Sequence, residues 1–432
     1  MTRQVLKWIS LLAALALAGL VVSNAAMLGI NYASLETANK TAPKPAIEAA
    51  SVEDWSGRKA ALRQAFEEHV YGPWPDGLAV ARVSRRLVDA DYAGGRGRLE
   101  EIVIRVGRGD GARRFHLGLA VPEGEGPFPL IIGQTFAPNC YVFASPGLTA
   151  SDGDPCESTQ VPFIFRYIFG EYIARAPVRS FFERGFAYAS FHASQFVPDA
   201  RGQAAPVLDG LRPEGGEAPG GTLSAWAYGY SAAIDALAWE NWLDEKRIAV
   251  FGHSRHGKAA LVAAAQDRRI QAVISHQSGF GGAALSRSRT GEGVARITSN
   301  YPHWFDPAYG RNGLGPDALP VDQHQLLALI APRALFLGNA RRDVWSDPNS
   351  TYRAAEAASP VWELFEARGL EQNGMADWQP DARLAYWLRS GGHGTDQRDI
   401  DAILEFLDAH FAGSQALACR ELETASMDDE SC

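Results

Sequence analysis

The chain has 432 residues, 46% of them apolar and 21% charged, with a formal net charge of -9. That length builds one large domain or two ordinary ones, and the composition argues against both a disordered chain and a multi-span membrane protein. No basic block of the kind nucleic-acid binders carry is present, so nucleic acid is set aside as a partner.

The N-terminus departs from the average. Arg3 and Lys7 precede an apolar run from Trp8 to Ile30, broken at Ser23 and Asn24. A charged start followed by a long apolar stretch is an export signal, and Ser23-Asn24-Ala25 offers a small-x-small cleavage site. Left uncleaved, the run has the length of a membrane span. Residues 1–30 are thus a signal peptide or a membrane anchor, and both readings export the rest to the periplasm or the outside. Residues 31–50, rich in Ala, Thr and Lys with two prolines, read as a linker. Residues 51–413 read as the catalytic domain and 414–432 as a tail. The four cysteines suit an oxidising compartment and allow two local disulfides, Cys140–Cys156 and Cys419–Cys432. No CxxC or Cys/His zinc spacing occurs, and neither metal nor cofactor is implied.

Strands and helices then alternate. Arg114–Val121 alternates apolar and polar residues as a half-buried strand does. Short continuous apolar runs mark strands buried on both faces: PLIIG (129–133), FAYASF (186–191), IAVFG (248–252), AVIS (272–275), ALFLG (334–338) and LAYWL (384–388). Helical spacing covers Leu223–Leu243, Lys258–Gln266, Asp322–Leu329, Tyr352–Arg368 and Asp396–Phe411. This alternation predicts an α/β fold with a mostly parallel, doubly wound sheet and helices on both faces. Chemistry in such sheets sits at the carboxyl ends of strands. Two long insertions leave such ends, Asn139–Phe182 and Ser194–Gly221, and both are expected to wall the site.

The strongest local signal is Gly252-His253-Ser254-Arg255-His256-Gly257-Lys258, set between the IAVFG strand and an Ala-rich helix. A serine at the apex of a strand-turn-helix is a nucleophile elbow. The spacing is G-x-S-x-x-G, whereas the common form has its second glycine one place earlier. Ser254 at a helix start sees the positive end of the dipole, and the N–H and side chain of Arg255 are placed to hold an oxyanion. In hydrolases of this fold the chain order is Ser, acid, His. His393, in Gly391-Gly392-His393-Gly394 after the last strand, has both the order and the setting of the base. His253 and His256 flank the nucleophile and are expected to shape the pocket. Asp343 follows the ALFLG strand and is the candidate acid, orienting His393 and stabilising its charged form. Its competitor, Asp347, precedes Pro348 and reads as a helix cap.

The run GHSRHGK resembles the G-x-S-R-x-G-K signature of the glucuronoyl esterases, and is similar especially to the bacterial members. LSAWAYGYSAAIDAL, SGFGGAA, GEGV, PHWF, LPVDQHQLLALIAPRALFLGNARRDVWSDP and GGHG resemble further blocks of that family, so the likeness runs from Pro129 to Phe411. It implies an α/β-hydrolase fold and ester hydrolysis at glucuronic acid, including lignin–carbohydrate esters of glucuronoxylan. It further implies that Arg255 assists the oxyanion, that Lys258 binds glucuronate hydroxyls, and that Glu292 and Trp345 complete the sugar site. One departure stands out. Where many members carry a Q-E-S-G block with an acid, this chain has His276-Gln277-Ser278-Gly279. Gln277 is no carboxylate, which leaves the role to Asp343. The loop GQTFAPNCYVF also departs from the family blocks, so another carbohydrate-ester specificity, such as xylan deacetylation, stays open. A catalytically silent carbohydrate-binding protein is the reading from outside enzymology.

Overall fold

A computed structural model describes residues 14–15, 43–150, 153–310 and 316–411. The apolar N-terminal run, most of the expected linker, the C-terminal tail and the pair Cys419–Cys432 lie outside the described residues. Among the described residues, no helix is long and apolar enough to cross a membrane.

Among the described residues, nine strands form one sheet: β1 (Val80–Asp91), β2 (Gly97–Val106), β3 (Arg113–Pro122), β4 (Phe128–Thr135), β5 (Ala187–His192), β6 (Leu243–His253), β7 (Ala272–His276), β8 (Ala334–Ala340) and β9 (Leu384–Arg389). Their spatial order is β1-β2-β3-β5-β4-β6-β7-β8-β9. The six strands from β5 to β9 in that order run parallel, and β1, β2 and β3 join antiparallel. The helices that matter for the site are α1 (Val52–Phe66), α2 (Phe163–Phe169), α3 (Thr222–Leu237), α4 (Arg255–Gln266), α5 (Pro348–Ala358) and α6 (Gln397–Phe411).

Side chains alternate across the buried strands, which splits the core in two. Leu130, Ile132, Ile248 and Val250 meet α1, α3, α4 and α5 on one face. Ile131 and Ala249 meet α6 on the other. Every strand expected from the sequence is present. Two more, β1 and β2, and helix α1 were not expected. β2 carries Glu100 and Glu101, both buried, which obscures its apolar pattern; Arg85 and Arg86 of β1 pair with them at 2.7 and 2.6 Å. The helix expected over Tyr352–Arg368 breaks at Ser359, because Pro360 has no N–H to give the preceding turn and instead opens a new short helix, Pro360–Leu364. The helix expected to reach Leu243 stops at Leu237.

The last residues of the expected linker lie against the domain. Arg287 donates to the Lys44 carbonyl, the His324 ring meets the Pro45 carbonyl at 2.8 Å, and Ile47 packs on the core. The disulfide Cys140–Cys156 is formed across the first insertion, with Cα atoms 6.4 Å apart.

The chain leaves β4 toward β5 on one side, then returns to form β6 on the other. That reversal opens a crevice at the carboxyl ends of the central strands, where α/β sheets place their chemistry.

Candidate active site

Ser254 stands at the tip of β6, where the strand turns into α4. Its backbone has φ 57° and ψ -123°, a conformation few residues other than glycine adopt. Its hydroxyl makes no cap bond to the helix it precedes, so the elbow does not exist to supply a cap. The tightness of the turn explains the glycine spacing. A Cβ on Gly252 would come within 2.1 Å of the His256 carbonyl, and one on Gly257 within 2.9 Å of the Gly252 carbonyl. The second glycine is therefore needed at 257, where the helix start crosses back over the strand, and 256 is free to hold a histidine.

Asp343 follows β8 by three residues and His393 sits in the loop after β9. His393 Nδ1 lies 2.6 Å from Oδ2 of Asp343. Burial opposes charge on Asp343, but His393 and hydrogen bonds from Ser346 outweigh it and hold the carboxyl below its ordinary value. Asp347 caps α5, accepting from the N–H of Ser350 at 3.1 Å, with Pro348 in the first turn. In this structure His393 Nε2 rests 3.2 Å from His253 Nε2 rather than bonding the serine hydroxyl.

All seven residues singled out from the sequence line one cleft of about 340 Å³: Ser254, Arg255, Lys258, Glu292, Asp343, Trp345 and His393. Arg255 pairs with Asp199 at 3.1 Å, while its guanidinium lies 4.5 Å from the centre of the Phe136 ring. Asp199 also meets His303 at 2.9 Å and accepts from the Trp304 indole at 2.7 Å. Lys258 is buried and donates to the carbonyls of Ser278 and Phe280. Burial pushes its pKa down to about 8 against the pull of Glu292 and Asp343. Burial likewise pushes Glu292 up, opposed by Lys258 and by a hydrogen bond from Trp345. Trp345 is 46% exposed, with Arg296 over its ring at 4.7 Å. A flat indole beside a cation and an anion, each with hydrogen-bonding capacity, suits a sugar acid.

Both insertions reach the site. The second supplies Asp199. The first packs on the base loop: Thr395 donates to the Phe169 carbonyl at 2.8 Å, and a Cβ on Gly394 would stand 2.1 Å from that same oxygen. His256 is buried, and its Nδ1 meets Gln134 Oε1 at 2.9 Å.

Two residues gained roles that the sequence did not disclose. Asp199 is one, and nothing distinguishes it among the chain's acids. Gln277 is the other. Its Nε2 donates to the Gly392 carbonyl at 3.2 Å and its Oε1 accepts from the Gly394 N–H at 2.8 Å. The amide thus grips the backbone on both sides of His393. A carboxylate accepts but does not donate, whereas the amide satisfies both contacts. Gln277→Glu is expected to lower kcat roughly 10- to 100-fold with little change in KM, because the base loop loses one tether. Steady-state kinetics on the purified variant checks this, and an unchanged kcat refutes the tether.

The family model "Glucuronyl esterase, fungi" matches residues 169–366. A carbohydrate esterase from an unknown prokaryotic organism is 30% identical over 414 residues, covering 89% of this chain and 93% of that protein. The chain belongs to the glucuronoyl esterase family. A solved glucuronoyl esterase from Solibacter usitatus superposes with a TM-score of 0.71 at 30% identity, covering 86% of this chain and 96% of that one. A promiscuous esterase of carbohydrate esterase family 15, from a marine bacterial metagenome, gives 0.72 at 29% identity, covering 87% and 98%. This glucuronoyl esterase family member is therefore an α/β-hydrolase and a carboxylic ester hydrolase, as the elbow and the chain order of Ser254, Asp343 and His393 led one to expect.

Proposed function

We propose that this esterase cleaves esters of glucuronic acid or its 4-O-methyl ether, such as those linking lignin alcohols to glucuronoxylan, through an acyl-enzyme on Ser254. The carrying observation is that Ser254, Asp343 and His393 share one cleft with Lys258, Glu292 and Trp345. In the reaction, the imidazole of His393 turns to Ser254 and takes its proton as Oγ attacks the ester carbonyl. Asp343 keeps Nδ1 protonated and balances the charge that forms. Arg255 and the start of α4 face the developing oxyanion. The proton passes to the leaving alcohol, and water, activated by the same base, releases the glucuronic acid.

Turnover of benzyl glucuronate well above that of p-nitrophenyl acetate, relative to each uncatalysed rate, is the expected result. Turnover of acetate alone would assign the cleft to deacetylation instead. Lys258 supplies a second check. As pH rises through about 8 the buried ammonium loses its proton and with it a charged hydrogen bond to the sugar. KM for the glucuronate ester is expected to climb above that pH while kcat changes less, and a KM flat across the alkaline range would remove Lys258 from the sugar site.

Export is part of the proposal. It is supported by the charged, apolar N-terminus and by the disulfide within the first insertion, a bond that persists in oxidising compartments. The division into an exported leader or anchor (1–30), a linker, a catalytic domain to residue 413 and a tail belongs to the same reading.

A further inference from the structure

His253 directly precedes the nucleophile, yet it is buried and is not among the residues lining the cleft. Its ring is nonetheless linked to the base. Nε2 of His253 lies 3.2 Å from Nε2 of His393, and Nδ1 of His253 lies 2.8 Å from Nδ1 of His276. The parallel register that sets His253 of β6 beside His276 of β7 brings those rings together. Behind them, His276 Nε2 stands 3.2 Å from Oδ1 of Asp399 in α6, out of line for a strong hydrogen bond. Asp399 is bound in turn by Arg389 at 2.6 Å and by the Trp387 indole at 3.1 Å. Although burial opposes its charge, His276 and Arg389 bring the carboxyl down to about 2, so it is an anion at any working pH.

The proton positions follow from the partners. An anion beside His276 Nε2 calls for a proton on that nitrogen. With its proton there, His276 offers a lone pair at Nδ1, which His253 meets with its own Nδ1–H; Thr395 Oγ1, 3.4 Å away, is a second acceptor for it. His253 itself is neutral, since burial and then His393, His276, Arg389 and His256 all disfavour its charged form. Its Nε2 is consequently a lone pair aimed at His393. On the other side His393 gives Nδ1–H to Asp343. Two lone pairs at 3.2 Å repel, and a proton on His393 Nε2 turns that contact into a hydrogen bond.

We propose that His253, held by His276 and Asp399, is a positioning residue whose Nε2 accepts a hydrogen bond from the protonated Nε2 of His393. The charged base is then fixed at both nitrogens, by Asp343 and by His253. When neutral, it turns to Ser254. This rests on the assignment of Ser254 and His393 above. The proton that leaves Ser254 Oγ binds His393 Nε2, is shared with His253 without transfer, and departs on the oxygen of the leaving alcohol.

Two measurements test it. In full-length protein labelled with 15N-histidine, His253 is expected to carry its proton on Nδ1 and a bare Nε2, the assignment coming from the signal lost in His253→Gln. A proton on Nε2 overturns the proposal, since His253 would then occupy the lone pair of the neutral base. The second is the pH profile of kcat/KM. His253→Phe keeps a flat ring but offers no acceptor, so the acid limb is expected to move down by about one pH unit as the charged base loses its partner. His253→Gln, whose amide oxygen reaches the same place, is expected to return the limb toward wild type. A limb unmoved in a folded His253→Phe, or a loss equal at every pH in both variants, overturns it. Should His253→Phe fail to fold, the tautomer of the wild type decides alone. The profile is taken on whichever ester the wild type turns over, so failure on glucuronate esters sinks only the substrate reading.

Discussion

Ser254→Ala is expected to abolish ester turnover, with kcat/KM falling by roughly 10⁴-fold or more. No other hydroxyl occupies the elbow, and the oxyanion donors alone leave only a small residual rate. The same variant is expected to keep its melting temperature within about 2 °C, because the hydroxyl caps nothing and the strained backbone is unchanged by losing one oxygen. The pairing of these results is informative. Lost activity with an intact melt identifies a nucleophile, whereas lost activity with a lowered melt marks a structural serine. Retained turnover on benzyl glucuronate would remove Ser254 from the mechanism and require another nucleophile.

Asp343→Asn is expected to lower kcat by roughly 10³- to 10⁴-fold with KM nearly constant. The amide fills the same space, but it offers no charge to balance the imidazolium and its NH₂ favours the wrong tautomer of His393. The carboxyl of the wild type is held below its ordinary value, so the pair's stabilisation is present above the unfolded carboxylate range and is lost as pH falls through the lowered folded value. The acid-side dependence of the melting temperature is therefore expected to flatten in Asp343→Asn. Comparable activity in wild type and variant would return the acid's role to another residue, with Asp347, the cap of α5, as the remaining candidate on that loop.

The candidate site was legible wherever its residues lie in one contiguous run. The elbow is a strand, a turn and a helix in one run, and the glycine-flanked His393 announces itself at the end of β9. What escaped notice acts across the chain. Gln277 reaches residues 115 and 117 positions away, and Asp199 meets Arg255 only because the second insertion brings it beside the start of α4. The link from His253 to His276 was within reach: both end their strands, and adjacent parallel strands in register bring such positions together. In the fold, strands with an uninterrupted or cleanly alternating apolar run were found, and β1 and β2, whose runs are broken by charge, were not. β2 hides Glu100 and Glu101 among its apolar residues, and their arginine partners stand in a different strand. Charge pairing across strands is a tertiary fact that no single run of residues announces. The break at Ser359–Pro360 was legible in principle and was overridden by the helical spacing around it.

The contact between Gly394 and the Phe169 carbonyl leaves room for a hydrogen and nothing larger. The first insertion and the loop that carries His393 thus interlock backbone to backbone. Changing the backbone of that insertion would tug on the loop bearing His393, so alterations there are expected to be felt at the candidate base rather than to stay local.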